Sequence, residues 1–269
     1  MKKSLALILI LVFSLQFTVL GFAEDIQSNQ IEASTNIVER FNELYQLNGG
    51  NTYNAIEALI SENESLELKE YKTTSYSIIN GELIPISARS TNPSDISFTD
   101  SIVYDNDWDA HVYLGSWQWD KDPYFSLDLN ETIDPWDMIG FYTQDSSKVR
   151  AREYFVYGYD SSNKRTIYYN SDSQSSSGDI QKGLDTLGGV AFWHNEMHVD
   201  HGTMNVPLYT FGDTTGVKVM MQYSHAWSAT DITGIGGSIS KGNYGFNISW
   251  DRNVLHWAGD ATSYGVSVP

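Results

Sequence analysis

The sequence predicts a mainly β protein, an antiparallel β-sandwich of jelly-roll-like kind, preceded by a short helical N-terminal segment. Three observations carry this. Apolar residues alternate with polar ones at a period of two over many short runs beyond residue 66, as half-buried strands require. Glycine- and asparagine-containing turns separate those runs with no helical pattern between them, which favours antiparallel pairing. All eight tryptophans lie at or after Trp108, so the large core-forming side chains belong to the strand-rich part.

The chain opens with Lys2 and Lys3, an apolar run from Leu5 to Phe22, and small residues at Gly21 and Ala23, followed by Glu24 and Asp25. This is the order of a secretory leader, with cleavage expected after Ala23. Residues 1–23 are therefore read as a signal peptide and the mature protein as secreted and extracellular. An uncleaved anchor is the competing reading, because the run is close to the length that spans a bilayer.

Residues 31–47 fit an amphipathic helix, with Ile31, Ile37, Val38, Phe41, Leu44, Tyr45 and Leu47 at helical spacing and Asn48, Gly49 and Gly50 stopping it. A second short helix is expected from Thr52 to about Asn63. Leu66 to Ile79 reads as a strand, Asn80-Gly81 as a two-residue hairpin turn and Leu83 to Ile86 as the return. Ala88 to Asp95 is polar and reads as a linker. The expected division is 1–23 leader, 24–90 helical segment plus hairpin, and 91–269 sandwich. Residues 97–269 are expected to fold by themselves.

Further strands are expected at 111–119, 125–129, 155–159, 165–169, 217–227 and 246–250. Ser161-Ser162-Asn163 turns the third into the fourth, and Lys241-Gly242-Asn243 and Asp251-Arg252-Asn253 punctuate the later ones. Ser171 to Gly178 reads as a serine-rich loop.

Composition narrows the function. There is no cysteine, which excludes disulfides, thiolate metal sites and a cysteine nucleophile. The net charge is −18, and loss of Lys2 and Lys3 with the leader makes the chain more acidic still. Such a surface repels nucleic acid and anionic membranes, so no nucleic-acid partner and no stable membrane anchor after cleavage are expected. Carboxylates in that number offer ligands for calcium.

Three constellations are candidate sites. His194, Glu196, His198, Asp200 and His201 concentrate half of the six histidines in eight residues. On one strand, His194, Glu196, His198 and Asp200 share a face, and neighbours two apart lie about 6.8 Å from each other, a span that two side chains can bridge around a zinc-like ion. His194 and His198 lie about 13.5 Å apart on a straight strand. Glu196 with one histidine is then the workable pair, completed by a distant ligand such as His111, His225 or His256. The spacing differs from HExxH, the metalloprotease pattern. Asp105, Asp107 and Asp109 alternate as at the start of a calcium loop, but Ala110 and Ser116 stand where the EF-hand needs glycine and glutamate. Tyr113, Trp117 and Trp119 share one strand face, either as a platform on which sugar rings stack or as sandwich core.

Nucleophile and dinucleotide signatures fail: Gly236-Gly237-Ser238 lacks the closing glycine of a nucleophile elbow, and Gly234 to Gly236 is not followed by the third glycine of a dinucleotide loop. The favoured function is a secreted binding or interaction module meeting an extracellular glycan or protein. The alternatives are a metal-dependent extracellular hydrolase built on the His194–His201 cluster, with zinc or calcium as cofactor, and a secreted β-rich toxin or antimicrobial.

Overall fold

The computed structural model describes residues 29–79, 82–86, 94–120, 137–171, 175–177, 180–186, 189–194, 199–226, 232–237, 246–250, 258–262 and 265–269. The leader, the Asn80-Gly81 turn and the strand expected at 125–129 lie outside them.

Helix α1 covers 29–47. It buries Ile37, Val38, Phe41, Leu44 and Tyr45 along one stripe. It stops where expected. Gly49 and Gly50 take φ of 64° and 82°, and the Gly50 amide closes on the Tyr45 carbonyl at 2.9 Å, a left-handed C-terminus that glycine adopts without strain. Helix α2 (Thr52–Glu62) starts at once, capped by the Asn51 side chain, which accepts the Asn54 amide. It buries Thr52, Ala55, Ile56 and Leu59.

The strands follow in chain order: β1 (Leu66–Ile79), β2 (Glu82–Pro85), β3 (Ile96–Asp105), β4 (Ala110–Trp119), β5 (Asp137–Thr143), β6 (Val149–Ala151), β7 (Phe155–Tyr159), β8 (Arg165–Asn170), β9 (Ser175–Ser177), β10 (Ile180–Thr186), β11 (Gly189–His194), β12 (His201–Thr210), β13 (Val217–Ala226), β14 (Ile232–Gly237), β15 (Phe246–Trp250), β16 (Ala258–Thr262) and β17 (Val266–Val268). Sheet A runs β2-β1-β3-β4-β12-β7-β8-β9, with β6 extending β7's side of β12. Sheet B runs β10-β11-β5-β13-β16, with β17 also on β13. β14 and β15 form a separate ribbon. Every strand pair among the described residues is antiparallel, and sheets A and B pack as a sandwich.

Two cores result. Between the sheets, Ile102, Tyr113, Trp117, Met204 and Val206 of sheet A meet Ile139, Phe141, Phe192, Val219, Met221 and Tyr223 of sheet B. On the other face of sheet A, Val103, Val112, Leu114, Phe155, Tyr157 and Tyr159 meet the apolar stripes of α1 and α2. Sheet A is thus covered on both faces. This is why β3 and β4 are buried almost throughout, although a one-sided sheet alternates in exposure.

The aromatic platform expected at Tyr113, Trp117 and Trp119 is corrected by this packing. Tyr113 and Trp117 are fully buried and Trp119 is 7% exposed. Tyr113 packs on Phe141, and both tryptophans pack on Tyr223. Their odd-numbered face of β4 looks at sheet B, so their rings fill the sandwich and offer no surface to a sugar. Gly202 pairs with Trp117 in register, and a Cβ there would lie 2.3 Å from the indole. The glycine makes room for the ring.

β1 and β2 belong to sheet A, together with β3 and β4. β1 pairs with β3 over ten register positions from Leu66↔Asp105 to Tyr76↔Ile96, so residue 90 falls between two strands of sheet A. Pro85 closes β2 at the sheet's edge, where a missing N–H is tolerated.

Candidate functional site

The expected histidine cluster does not form one strand. β11 ends at His194 in sheet B, where it pairs with Asp137. β12 begins at His201 in sheet A, where it pairs with Gln118 and Tyr159. The chain crosses between sheets here, so His194 and His201 stand on different layers. Glu196 and His198 lie outside the described residues, as does His256. His111 pairs with Leu208, seven residues along β12 from His201, roughly 23 Å away, which rules out a shared ion. Among the described residues no three histidine, aspartate or glutamate side chains are grouped to hold a metal.

The three aspartates of the calcium-like motif bracket the β3–β4 turn, and two of their carboxylates serve protein partners. Asp105 Oδ1 accepts from the Asp107 amide and from Ser65 Oγ, and Asp109 Oδ1 accepts from the Tyr104 hydroxyl. Asp109 itself sits at φ 50°, a conformation that aspartate tolerates in turns.

His201 instead helps to line a cleft of about 600 Å³ where the end of β4 and the start of β12 meet. Four segments meet there: the α1–α2 turn at Gly49, the end of β4 at Gln118, Trp119 and Asp120, the β7–β8 turn at Asp160 to Asn163, and the entry to β12 at Asp200. The sequence marks the β7–β8 turn well. Asp160 Oδ1 accepts from the Ser162 amide, the Ser162 hydroxyl and the Lys164 amide, an Asx arrangement that lets Asn163 take φ 61°. These hydrogen bonds hold the Asp160 carboxyl below the usual carboxylate range, so it is ionised in the cleft at neutral pH.

Asn163 ties three elements together. Its Nδ2 donates to the Gln46 carbonyl at 2.6 Å, which leaves Oδ1 as acceptor for His201 Nε2 at 3.0 Å. His201 therefore carries its proton on Nε2 when neutral. Its ring stacks on Tyr159 at 5.4 Å and 20° and lies 5.8 Å from Tyr45, which in turn lies 5.7 Å from Tyr159. Gly50 lets the helix turn close over it: a Cβ there would stand 3.1 Å from the ring. The other walls are pinned by main-chain bonds from the Trp119 amide to the Asp200 carbonyl and from the Asp200 amide to the Tyr159 carbonyl, and by Ser97 Oγ donating to Asp120. The result is a preorganised polar cleft with carboxylates from three elements, two amides and two serine hydroxyls.

Burial pushes the His201 imidazole below its ordinary value, against the opposing pull of Asp160. His111 is also lowered by burial. The unfolded chain then binds protons that the folded chain refuses. Stability is expected to be full above pH 7 and to fall as pH drops through about 6.5, the unfolded imidazole value. Carboxylates held low, such as Asp160, release their contribution only near and below about pH 4, outside this window. The check is the urea midpoint at pH 7.5 and 5.5 for wild type and His201→Gln. The wild type is expected to lose more on acidification. Equal losses would contradict a buried neutral His201.

The sequence singled out His201 but not the residues that meet it in this cleft. Asp160, Asn163, Gln118 and Asp120 carried no signal as a group, because what joins them is the β4–β12–β7 pairing across some eighty residues of chain. The only local sign was an Asp-Ser-Ser-Asn turn between tyrosine-bearing strands.

No family model and no curated protein matches the chain. Among solved structures, it is similar to the KRT10-binding region domain of the pneumococcal serine rich repeat protein PsrP, with TM-score 0.27 and 11% identity over 59% of this chain and 84% of that one. It is also similar to a structure described as a pore forming protein, with TM-score 0.34 and 7% identity over 74% of this chain and 95% of that one. At TM-scores this low neither likeness bears on what the chain does. No helix among the described residues is long and apolar enough to cross a membrane.

Proposed function

We propose that the protein is an exported binding module that acts outside the cytoplasm and takes a glycan in the cleft around His201. The single observation that supports this is the cleft's preorganisation. Asp120 and Gln118 from the end of β4 and Asp160 and Asn163 from the β7–β8 turn converge there, and the Asp160 and Asn163 side chains are already fixed by protein hydrogen bonds. A site whose polar groups are held before the ligand arrives loses little entropy on binding. Carboxylates and amide oxygens accept from hydroxyl groups, and the same carboxylates repel phosphate, sulfate and nucleic acid. A neutral, hydroxyl-rich ligand satisfies this set.

The test is a glycan array probed with protein starting at Glu24, wild type against a Gln118→Ala/Asp120→Ala double variant. Both side chains are exposed, so the fold is expected to be unchanged. Loss of two hydrogen-bonding groups, one of them charged, is expected to weaken binding at least about tenfold. Binding to no glycan, or equal binding by both proteins, would overturn the proposal.

A further inference from the structure

At the opposite end of β4, the α1, α2 and β1 elements and the β3–β4 turn enclose a second recess of about 340 Å³. Ala33 and Ile37 of α1, Leu59 of α2 and Leu66 of β1 give it apolar walls. Trp108, on the turn, lines it and is 39% exposed. Arg40, Glu62, Asn36, Asn63 and Asp105 supply the polar lining.

The turn that carries Trp108 is held at every step. Gln30 Nε2 donates to the Trp108 carbonyl at 2.7 Å, the Asn106 amide and Nδ2 both donate to the Ser65 carbonyl, and Asp105 accepts from the Asp107 amide. The half-wet indole is therefore presented by a fixed backbone. The Arg40 guanidinium is fixed as well. Its Nε and Nη2 donate to the two Glu62 oxygens, each at 2.7 Å, and Nη1 donates to Glu43 at 2.5 Å. Three of its five N–H groups are used in this way, and two remain to donate.

We infer that this recess is a second ligand site, which takes one neutral pyranose ring against Trp108. The lining selects the class. Glu62 and Asp105 repel an anion, and a cation would have to displace Arg40 from the Glu62 and Glu43 carboxylates that it already holds. A wholly apolar ligand would strip water from the polar lining without replacing its hydrogen bonds. A pyranose has an apolar face for the indole and vicinal hydroxyls that both donate and accept. The carboxylates accept from those hydroxyls, and the Arg40 and Asn36 N–H groups donate to them. The site is independent of the His201 cleft: the two lie at opposite ends of β4, roughly 30 Å apart along the strand. With both occupied, the protein would hold two points of a glycan, or two glycans, at once.

The test uses protein starting at Glu24 with ¹⁵N-labelled tryptophan, so that each of the eight indoles gives one signal. Trp108→Ala assigns the relevant one. Methyl α-glucoside, methyl β-galactoside, methyl α-mannoside and N-acetylglucosamine are titrated into the millimolar range, where single sugars bind. At least one is expected to shift the Trp108 signal to saturation. Arg40→Lys keeps the charge but loses the planar fork, and is expected to weaken that binding about tenfold with the Trp108 signal still present. The Gln118→Ala/Asp120→Ala protein is expected to bind as wild type does. A Trp108 signal unmoved by all four sugars, unchanged affinity in Arg40→Lys, or loss of the shift in the cleft variant would each overturn the inference. If the array result fails while Trp108 still responds, the cleft reading falls and this one stands.

Discussion

A fragment from Ser97 to Pro269 is expected to lack the cooperative thermal melt of the full mature chain. Sequence patterning suggested the reverse, because the helical period ends near Leu66 and a polar stretch follows. The structure shows what the fragment would leave bare. It removes β1, the ten-position partner of β3, and exposes that strand as a new sheet edge. It also removes α1 and α2, which cover Val103, Val112, Leu114, Phe155, Tyr157 and Tyr159. Burying a large apolar side chain stabilises by about 1.5–3 kcal/mol. Six such side chains uncovered at once amount to the whole net stability of an ordinary domain, about 5–15 kcal/mol. Circular dichroism melts of the fragment and the mature chain make the comparison. A sharp transition in the fragment, within a few degrees of the mature chain, would show that the helical layer is dispensable.

Trp117→Ala is expected to cost about 3–5 kcal/mol, the range for removing a fully buried large aromatic ring. Trp117 has no exposed surface and packs against Tyr223 across the sandwich. Its neighbour makes the prediction sharper. Gly202→Ala places a methyl group 2.3 Å from the indole and 2.4 Å from the Tyr157 carbonyl, so it destabilises the wild type by overpacking. In the Trp117→Ala background the indole clash is gone and only the carbonyl clash remains. The two substitutions are therefore expected to be less than additive. Urea unfolding of the two single variants and the double variant measures this. A cost below about 1 kcal/mol for Trp117→Ala, or strict additivity, would contradict the packing described.

Much of the fold was legible because local chemistry decided it. The α1 stripe from Ile37 to Tyr45, the Asn48-Gly49-Gly50 stop and the long β1 run each follow from period and turn residues alone. What escaped were elements defined by partners. β12 begins inside the histidine-rich run, and its residues Thr203 and Asn205 face Asn42 of α1, so polar side chains occur where a strand buried on both faces would be expected to be apolar. β5 reads Asp-Met-Ile-Gly-Phe-Tyr-Thr and is buried at every position, which removes the alternation by which strands are recognised. The aromatic row of β4 was seen, but whether it faced water or a second sheet depended on sheet B, some of whose strands lie a hundred residues on. The cleft was the least legible feature, since its side chains come from three separate segments and its fourth wall is the glycine turn after α1.

The central claim is that the cleft around His201 is where this protein meets its ligand. Hydrogen–deuterium exchange on the mature chain, with and without the strongest glycan from the array, tests it most directly. Slowed exchange at Gly49–Asn51, Gln118–Asp120, Asp160–Lys164 and Asp200–His201, with any further protection restricted to the recess around Trp108, is the expected result. Protection elsewhere on the sandwich, with these four segments unchanged, would contradict it.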